Sequence, residues 1–407
     1  MSAKSAVTAA LVTLACTALV AGGARADNGS PGDFYTPPAN IAADPGTILR
    51  TEDFVPAVDP LGLAAAATAR RLMYVSRDDT DRPTAVTGAV YVPRTPWPGP
   101  GPRPLVSLAA AAHGIGPQCV QSMAFDHPIA VSLTPSPDVS VGFEVESTKM
   151  LLDKGYAVAV TDYQRAGGVQ AYLDRVAGGR AVLDIARAVQ RIPGIEVGPI
   201  AVWGYSQGGG ASAAAAEIQP TYAPELPLRA AYAGAAAANP LVFLRRDGAS
   251  AGFAAWAAAA ASALDPQVRQ AIDDVVNPEG AAVIRQVGVE CFGGLVAARE
   301  SHNLTKSGRP LLDEMVANPV IKAWLDRQQL GTVAPQVPIE VHGGRNDDAV
   351  PYQTMVGLAE QWRALGADVT MLTDDAPPIL PGTAVNHSLT HLTDFRPLQW
   401  LATQLGR

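Results

Sequence analysis

The hydrophobic pattern along this 407-residue chain is one of strands alternating with helices, interrupted once. Arg71 to Arg77 and Thr84 to Pro93 alternate apolar and polar positions and predict a pair of strands. Pro104 to Ala109, Tyr156 to Asp162, Ile200 to Gly204 and Leu228 to Ala236 are short apolar runs, the pattern of buried strands. Between them, Phe143 to Lys154, Val169 to Gln190 and Gly210 to Ile218 read as helical. This alternation predicts an α/β fold: a doubly wound, mostly parallel sheet with helices on both faces. The block from Asn239 to Gln336 breaks the pattern, with helix signals at Ser250 to Leu264, Pro266 to Asp274 and Leu311 to Gln329 and no clear strand. It is too long for a loop in a compact domain, so an inserted helical cap or lid is expected there. The pattern resumes with a strand at Val337 to His342, a helix at Thr354 to Leu365 and a strand at Asp368 to Leu372. A last helix is expected within Asp394 to Leu405.

The N-terminus reads as an export signal over residues 1–26. Lys4 supplies the positive charge, Ala6 to Ala21 the apolar core, and Ala24-Arg25-Ala26 the cleavage site. The apolar core falls short of the roughly 20 residues that a membrane span needs. A Pro- and Gly-rich arm is expected over 27–60, then the core over 61–238, the cap over 239–336 and the rest of the core over 337–407. Cys16 leaves with the signal. An exported chain tends to pair its remaining cysteines, so a Cys119–Cys291 disulfide is expected between an early loop and the cap. The apolar share of 48% supports a large core. The net charge of −8 and the lack of a basic run exclude a nucleic-acid partner. The cysteines and the 6 histidines show no metal-ligand spacing. Ser250 to Leu264 is apolar nearly all round. It reads either as a buried helix of the cap or as the lining of an acyl slot that meets lipid interfaces.

The candidate chemistry centres on Gly204-Tyr205-Ser206-Gln207-Gly208, a G-x-S-x-G between an apolar strand and a helix of small residues. Such a sequence predicts a sharp turn with the serine at its apex. A serine hydroxyl needs a base within hydrogen-bond reach and a group that orients the base. The acid candidate is Asp347, with Asp348 as its neighbour and rival, in Asp347-Asp348-Ala349-Val350-Pro351. The base candidate is His387, with His391 as rival, in the stretch between the last strand and the last helix. His113, His127, His302 and His342 lie outside the expected position. An oxyanion needs two backbone donors. One is expected from Gln207 and the other from the His113-Gly114 loop.

These segments, with Phe34-Tyr35-Thr36-Pro37-Pro38, Gly155 to Tyr163 and Tyr222-Ala223-Pro224-Glu225-Leu226, resemble the secretory lipase family, which includes the fungal lipase A type. The resemblance implies an α/β-hydrolase core with an inserted helical cap and the hydrolysis of carboxylic esters, often acylglycerols, without a cofactor. It places the nucleophile on Ser206, the acid on Asp347, the base on His387 and the disulfide on Cys119 and Cys291. Two segments depart from the family: Ala109 to Ala112 lengthens the oxyanion loop, and the proline-rich Asp374 to Thr383 lengthens the approach to His387. The expected protein is a secreted monomeric serine esterase or lipase acting on a small-molecule ester or lipid. The rival readings are a serine peptidase on the same fold and a non-catalytic lipid- or wall-binding protein.

Overall fold

Continuous apolar runs build strands that are buried on both faces, and these form the centre of the sheet. The computed structural model describes residues 33–406 except 42, 57–58, 60, 127, 133–137, 246–249, 293–302 and 383. The export signal, His127 and His302 lie outside the described residues. Strands β1 (Ile48–Phe54), β2 (Ala67–Arg77), β3 (Pro83–Pro93), β4 (Arg103–Ala109), β5 (Ala157–Thr161), β6 (Val197–Tyr205), β7 (Leu228–Gly234), β8 (Ile339–Gly344) and β9 (Val369–Asp374) form one sheet. Its order is β1-β2-β3-β5-β4-β6-β7-β8-β9. The pairings from β1 to β3, and of β3 with β5, are antiparallel. From β5 to the far edge every pairing is parallel. All residues of β5 and β8 are buried.

Helices α1 (Glu144–Asp153), α2 (Arg175–Gln190) and α3 (Gln207–Tyr222) connect the central strands. Small residues let α2 and α3 lie close together. A Cβ on Gly179 would meet the backbone of Ala214 and Ala215 at 2.9–3.0 Å. Between β7 and β8 the chain leaves the sheet and forms α4 (Ser250–Leu264), α5 (Pro266–Val275), α6 (Pro278–Val287), α7 (Leu311–Ala317) and α8 (Pro319–Arg327). These helices share a second apolar cluster that includes Trp256, Met315 and Trp324. Ile115, Tyr172, Tyr205, Ala235 and Val350 join it from loops and strand ends of the sheet unit. The helical block therefore sits over the carboxyl ends of the central strands. The chain then completes the sheet unit with α9 (Tyr352–Ala364), α10 (Val385–Thr393) and α11 (Arg396–Gln404).

The structure corrects several expectations. The arm holds β1, an edge strand whose Arg50, Thr51, Glu52 and Asp53 are exposed, so it lacks the apolar signal of a strand. Val169 to Gln190 is not helical throughout. Val169–Gln170 pairs with Arg165–Ala166 in a small hairpin, and α2 begins only after Asp174 caps it. Leu311 to Gln329 divides at Asn318, whose side chain caps the helix that opens with Pro319. In α4, Ala254 to Ala258 and Trp256 among them are fully buried, so this helix is core to the block and presents no lipid-facing surface there.

Cys119 and Cys291 form a disulfide with a Cα–Cα distance of 5.6 Å, across a sequence separation of 172 residues. It ties the loop after β4 to the helical block. A cross-link over so long a loop restricts the unfolded chain strongly. The double variant Cys119→Ser, Cys291→Ser is expected to lose about 2–4 kcal/mol of unfolding free energy. Urea unfolding measures this, and an unchanged midpoint would contradict it.

Candidate active site

The turn between β6 and α3 is set by backbone contacts. Ser206 has φ 59° and ψ −120°, a positive φ that side chains other than glycine rarely adopt. The strain is held by near-contact of β6, α3 and the neighbouring strand ends. A Cβ on Gly204 would lie 2.1 Å from the Gly208 carbonyl oxygen, and one on Gly208 would lie 2.0 Å from that of Ala109. A Cβ on Gly209 would lie 2.1 Å from the Gly234 carbonyl oxygen. Ser206 N–H donates to that same Gly234 oxygen at 2.8 Å. The serine thus stands at the N-terminus of α3, with Gln207 the first helical residue.

The two adjacent aspartates after β8 divide the work. Asp347 Oδ1 accepts from the N–H groups of Ala349 and Val350, both at 2.7 Å. This turn aims Oδ2 at His387 Nδ1, 2.8 Å away. The Asp347 side chain is 1% exposed and that of His387 12%. Burial alone would raise the Asp347 carboxyl, but the His387 ring and the two turn N–H groups hold it below the usual carboxylate range. Asp348 points to the backbone instead, accepting from Ala384 N–H at 2.8 Å and His387 N–H at 3.3 Å. It fixes the start of α10, which carries His387. The histidine lies on this short helix, between the last strand and the last helix as the sequence predicts. Tyr205, the residue before the serine, donates its hydroxyl to the His387 carbonyl at 2.9 Å. Among the described residues no hydrogen bond joins Ser206 Oγ to the His387 ring; such contacts often tighten only when substrate is bound.

His391 lies one turn further along α10 and faces elsewhere. Its ring stacks on Tyr205 with centroids 4.5 Å apart, and Nε2 is 3.0 Å from Ser147 Oγ. Burial pushes its pKa down to about 4; His387 and His342 add to the depression and Glu144 opposes it. His113 has a buried partner that the sequence did not reveal. Its Nε2 stands 2.6 Å from Glu144 Oε2. Glu144 Oε1 accepts the Ala111 N–H at 2.6 Å. Tyr163 donates its hydroxyl to the Ala110 carbonyl at 2.6 Å. Gly114 has φ 115°, and a Cβ there would lie 2.2 Å from Cys291 Cα. The loop after β4 is thus pinned by Tyr163, Glu144 and Cys291. The His113 side chain is taken up by Glu144, so any role in an oxyanion site falls to the backbone. Nothing in the sequence pattern of α1 marks Glu144 as more than an acidic residue at a helix start. Among the described residues no group of three or more His, Cys, Asp or Glu side chains stands close enough to hold a metal ion.

Because the folded-state pKa of His391 lies below its ordinary 6.5, the unfolded chain takes up the proton first on acidification. The stability contributed by neutral His391 is present above pH 6.5 and is lost as pH falls towards 4. His391→Phe, which keeps a ring against Tyr205, is expected to flatten the decline of Tm over that range. Parallel profiles for the two proteins would contradict this.

The family model described as secretory lipase matches residues 132–404. The match starts beyond His113, Gly114 and Cys119. A probable inactive lipase of Mycobacterium tuberculosis is 29% identical, over 84% of this chain and 76% of its own length. A secreted triacylglycerol lipase of Malassezia restricta is 25% identical, over 83% of this chain and 72% of its own length. Lipase A of Candida antarctica in its closed state superposes with a TM-score of 0.71 at 20% identity, covering 89% of this chain and 86% of the other. With a family match over well more than half its length, and with the α/β-hydrolase fold of lipase A beneath it, this chain belongs to the secretory lipase family.

Proposed function

We propose that this lipase-like hydrolase is a secreted serine carboxylic ester hydrolase acting through an acyl-enzyme intermediate. The observation that carries the reading is the 2.8 Å contact of Asp347 Oδ2 with His387 Nδ1 beside the strained turn that presents Ser206. With Nδ1 held by the carboxylate, Nε2 is the nitrogen left to take a proton. Ser206 Oγ attacks the ester carbonyl while His387 Nε2 takes its proton. Asp347 keeps the ring in this tautomer and stabilises the imidazolium. His387 then returns the proton to the departing alcohol. Water repeats the sequence on the acyl-enzyme, and the acid leaves. The oxyanion is bound by the Gln207 N–H at the N-terminus of α3 and by the backbone of the His113–Gly114 loop. The helical block over the site serves as the cap that shields it. Export and the 1–26 signal fit with relatives that are named as secreted lipases.

The relative named as a probable inactive lipase makes the nucleophile the first point to test. Ser206→Ala is expected to lower kcat/KM on p-nitrophenyl butyrate by about 10⁴-fold or more. Asp347→Asn should cost on the order of 10³–10⁴, as loss of the orienting acid does in serine triads. Asp348→Asn keeps an acceptor for the α10 backbone and should cost about tenfold at most. Ser206→Ala activity within tenfold of the parent, or equal losses at the two aspartates, would overturn the assignment.

A further inference from the structure

A small cleft opens beside Ser206, between the N-termini of α2 and α3, with Gln328 and Leu330 from the end of the helical block on its rim. Its cavity volume is about 40 Å³, room for a short chain only. Ser206 and Gln207 line it, and neither His387 nor Asp347 does. The base must hand its proton to the leaving alcohol, so the leaving group lies on the His387 side. The cleft away from His387 is then the place for the acyl group. This step rests on the reading of Ser206 as the nucleophile.

The walls of this cleft are mostly apolar, with buried polar side chains set among them. Asp174 lines it and is 3% exposed. Its Oδ1 accepts the Ala177 N–H at 2.9 Å and caps α2, while its Oδ2 is buried with no hydrogen-bond partner. Gln207 also lines the cleft, and its Oε1 is likewise buried and unpartnered. The neighbouring polar groups are already committed. Arg175 donates through Nη1 to Glu217 Oε2 at 2.9 Å and through Nε to the Arg327 carbonyl at 2.7 Å. Gln328 accepts the Arg175 N–H at 3.1 Å and donates to the Trp324 carbonyl at 3.1 Å. Burial pushes the pKa of Asp174 up to about 7, with Asp79 and Asp78 adding to the rise and the Ala177 and Val176 N–H groups opposing it. Two free acceptors in a buried wall stay uncompensated against an alkyl chain. A donor on the ligand compensates them. Sites built to hydrogen-bond a hydroxyl discriminate strongly against the analogue that lacks it.

We propose that this cleft is an acyl subsite selective for short acyl groups that carry a hydroxyl, which donates to Asp174 Oδ2, with Gln207 Oε1 as the second acceptor.

The test compares methyl butyrate with both enantiomers of methyl 3-hydroxybutyrate by pH-stat at pH 8. The protein is expected to favour one hydroxy ester by about tenfold or more in kcat/KM. In Asp174→Asn the cap oxygen can remain while the free acceptor becomes a donor. In Asp174→Ser the cap remains and the second oxygen is gone. The hydroxyl preference ratio should fall to about one in both, with circular dichroism checking that each variant is folded. Hydrolysis of the plain ester with no hydroxyl preference, or a preference that survives both substitutions, overturns the subsite and leaves the nucleophile in place. Failure to hydrolyse any of these esters or p-nitrophenyl butyrate overturns both readings together.

Discussion

The structure depends on one backbone constraint, the crowding of β6 and α3 at Ser206. Three glycines, Gly204, Gly208 and Gly209, let the strand, the helix and the carbonyls of Ala109 and Gly234 approach to distances that no Cβ could share. The positive φ of Ser206 follows from this approach, and Ser206 N–H is tied to Gly234 on the next strand. Small residues extend the constraint along α3, which is mostly alanine on the faces packed against the sheet and α2. Crowding here fixes where the serine stands, and the rest of the site is arranged around that point.

Asp347 and His387, the proposed acid and base, are set by a second layer of ordinary hydrogen bonds. Asp347 spends one carboxyl oxygen on its own turn, and this aims the other at the His387 ring. Asp348 and the Tyr205 hydroxyl hold the backbone of α10 from two sides. Tyr205 also lies against the rings of His387 and His391, so the residue next to the serine positions the helix that bears His387. On the other side Glu144 holds Ala111 and stands against His113, and the disulfide ties the same region to the helical block. Neighbouring carboxylates and neighbouring histidines thus carry different tasks.

Much of this order was legible in the sequence. The central strands are buried on both faces and read as apolar runs, and the serine, acid and base candidates stand in chain order. What was hidden has physical reasons. Edge strand β1 carries exposed charged residues, so burial never shaped its pattern. The break at Asn318 rests on a single cap and a proline inside one apolar stretch. Helix α10 is short, polar and preceded by prolines, and it gains its place from Asp348 and Tyr205, far away in sequence. Asp347 and Asp348 differ only in which side of a turn each faces, a distinction that tertiary contacts alone make. The partners of Glu144 and the free oxygen of Asp174 are likewise products of the fold and leave no mark in residue spacing.

The central claim is that the constrained turn presents an activated nucleophile at Ser206. Mass spectrometry of the intact protein and its peptides after treatment with a fluorophosphonate probe tests it most directly. The account predicts one adduct per chain, on the peptide containing Ser206 and on that residue. No adduct on folded protein, or an adduct elsewhere with Ser206 unmodified, would contradict it.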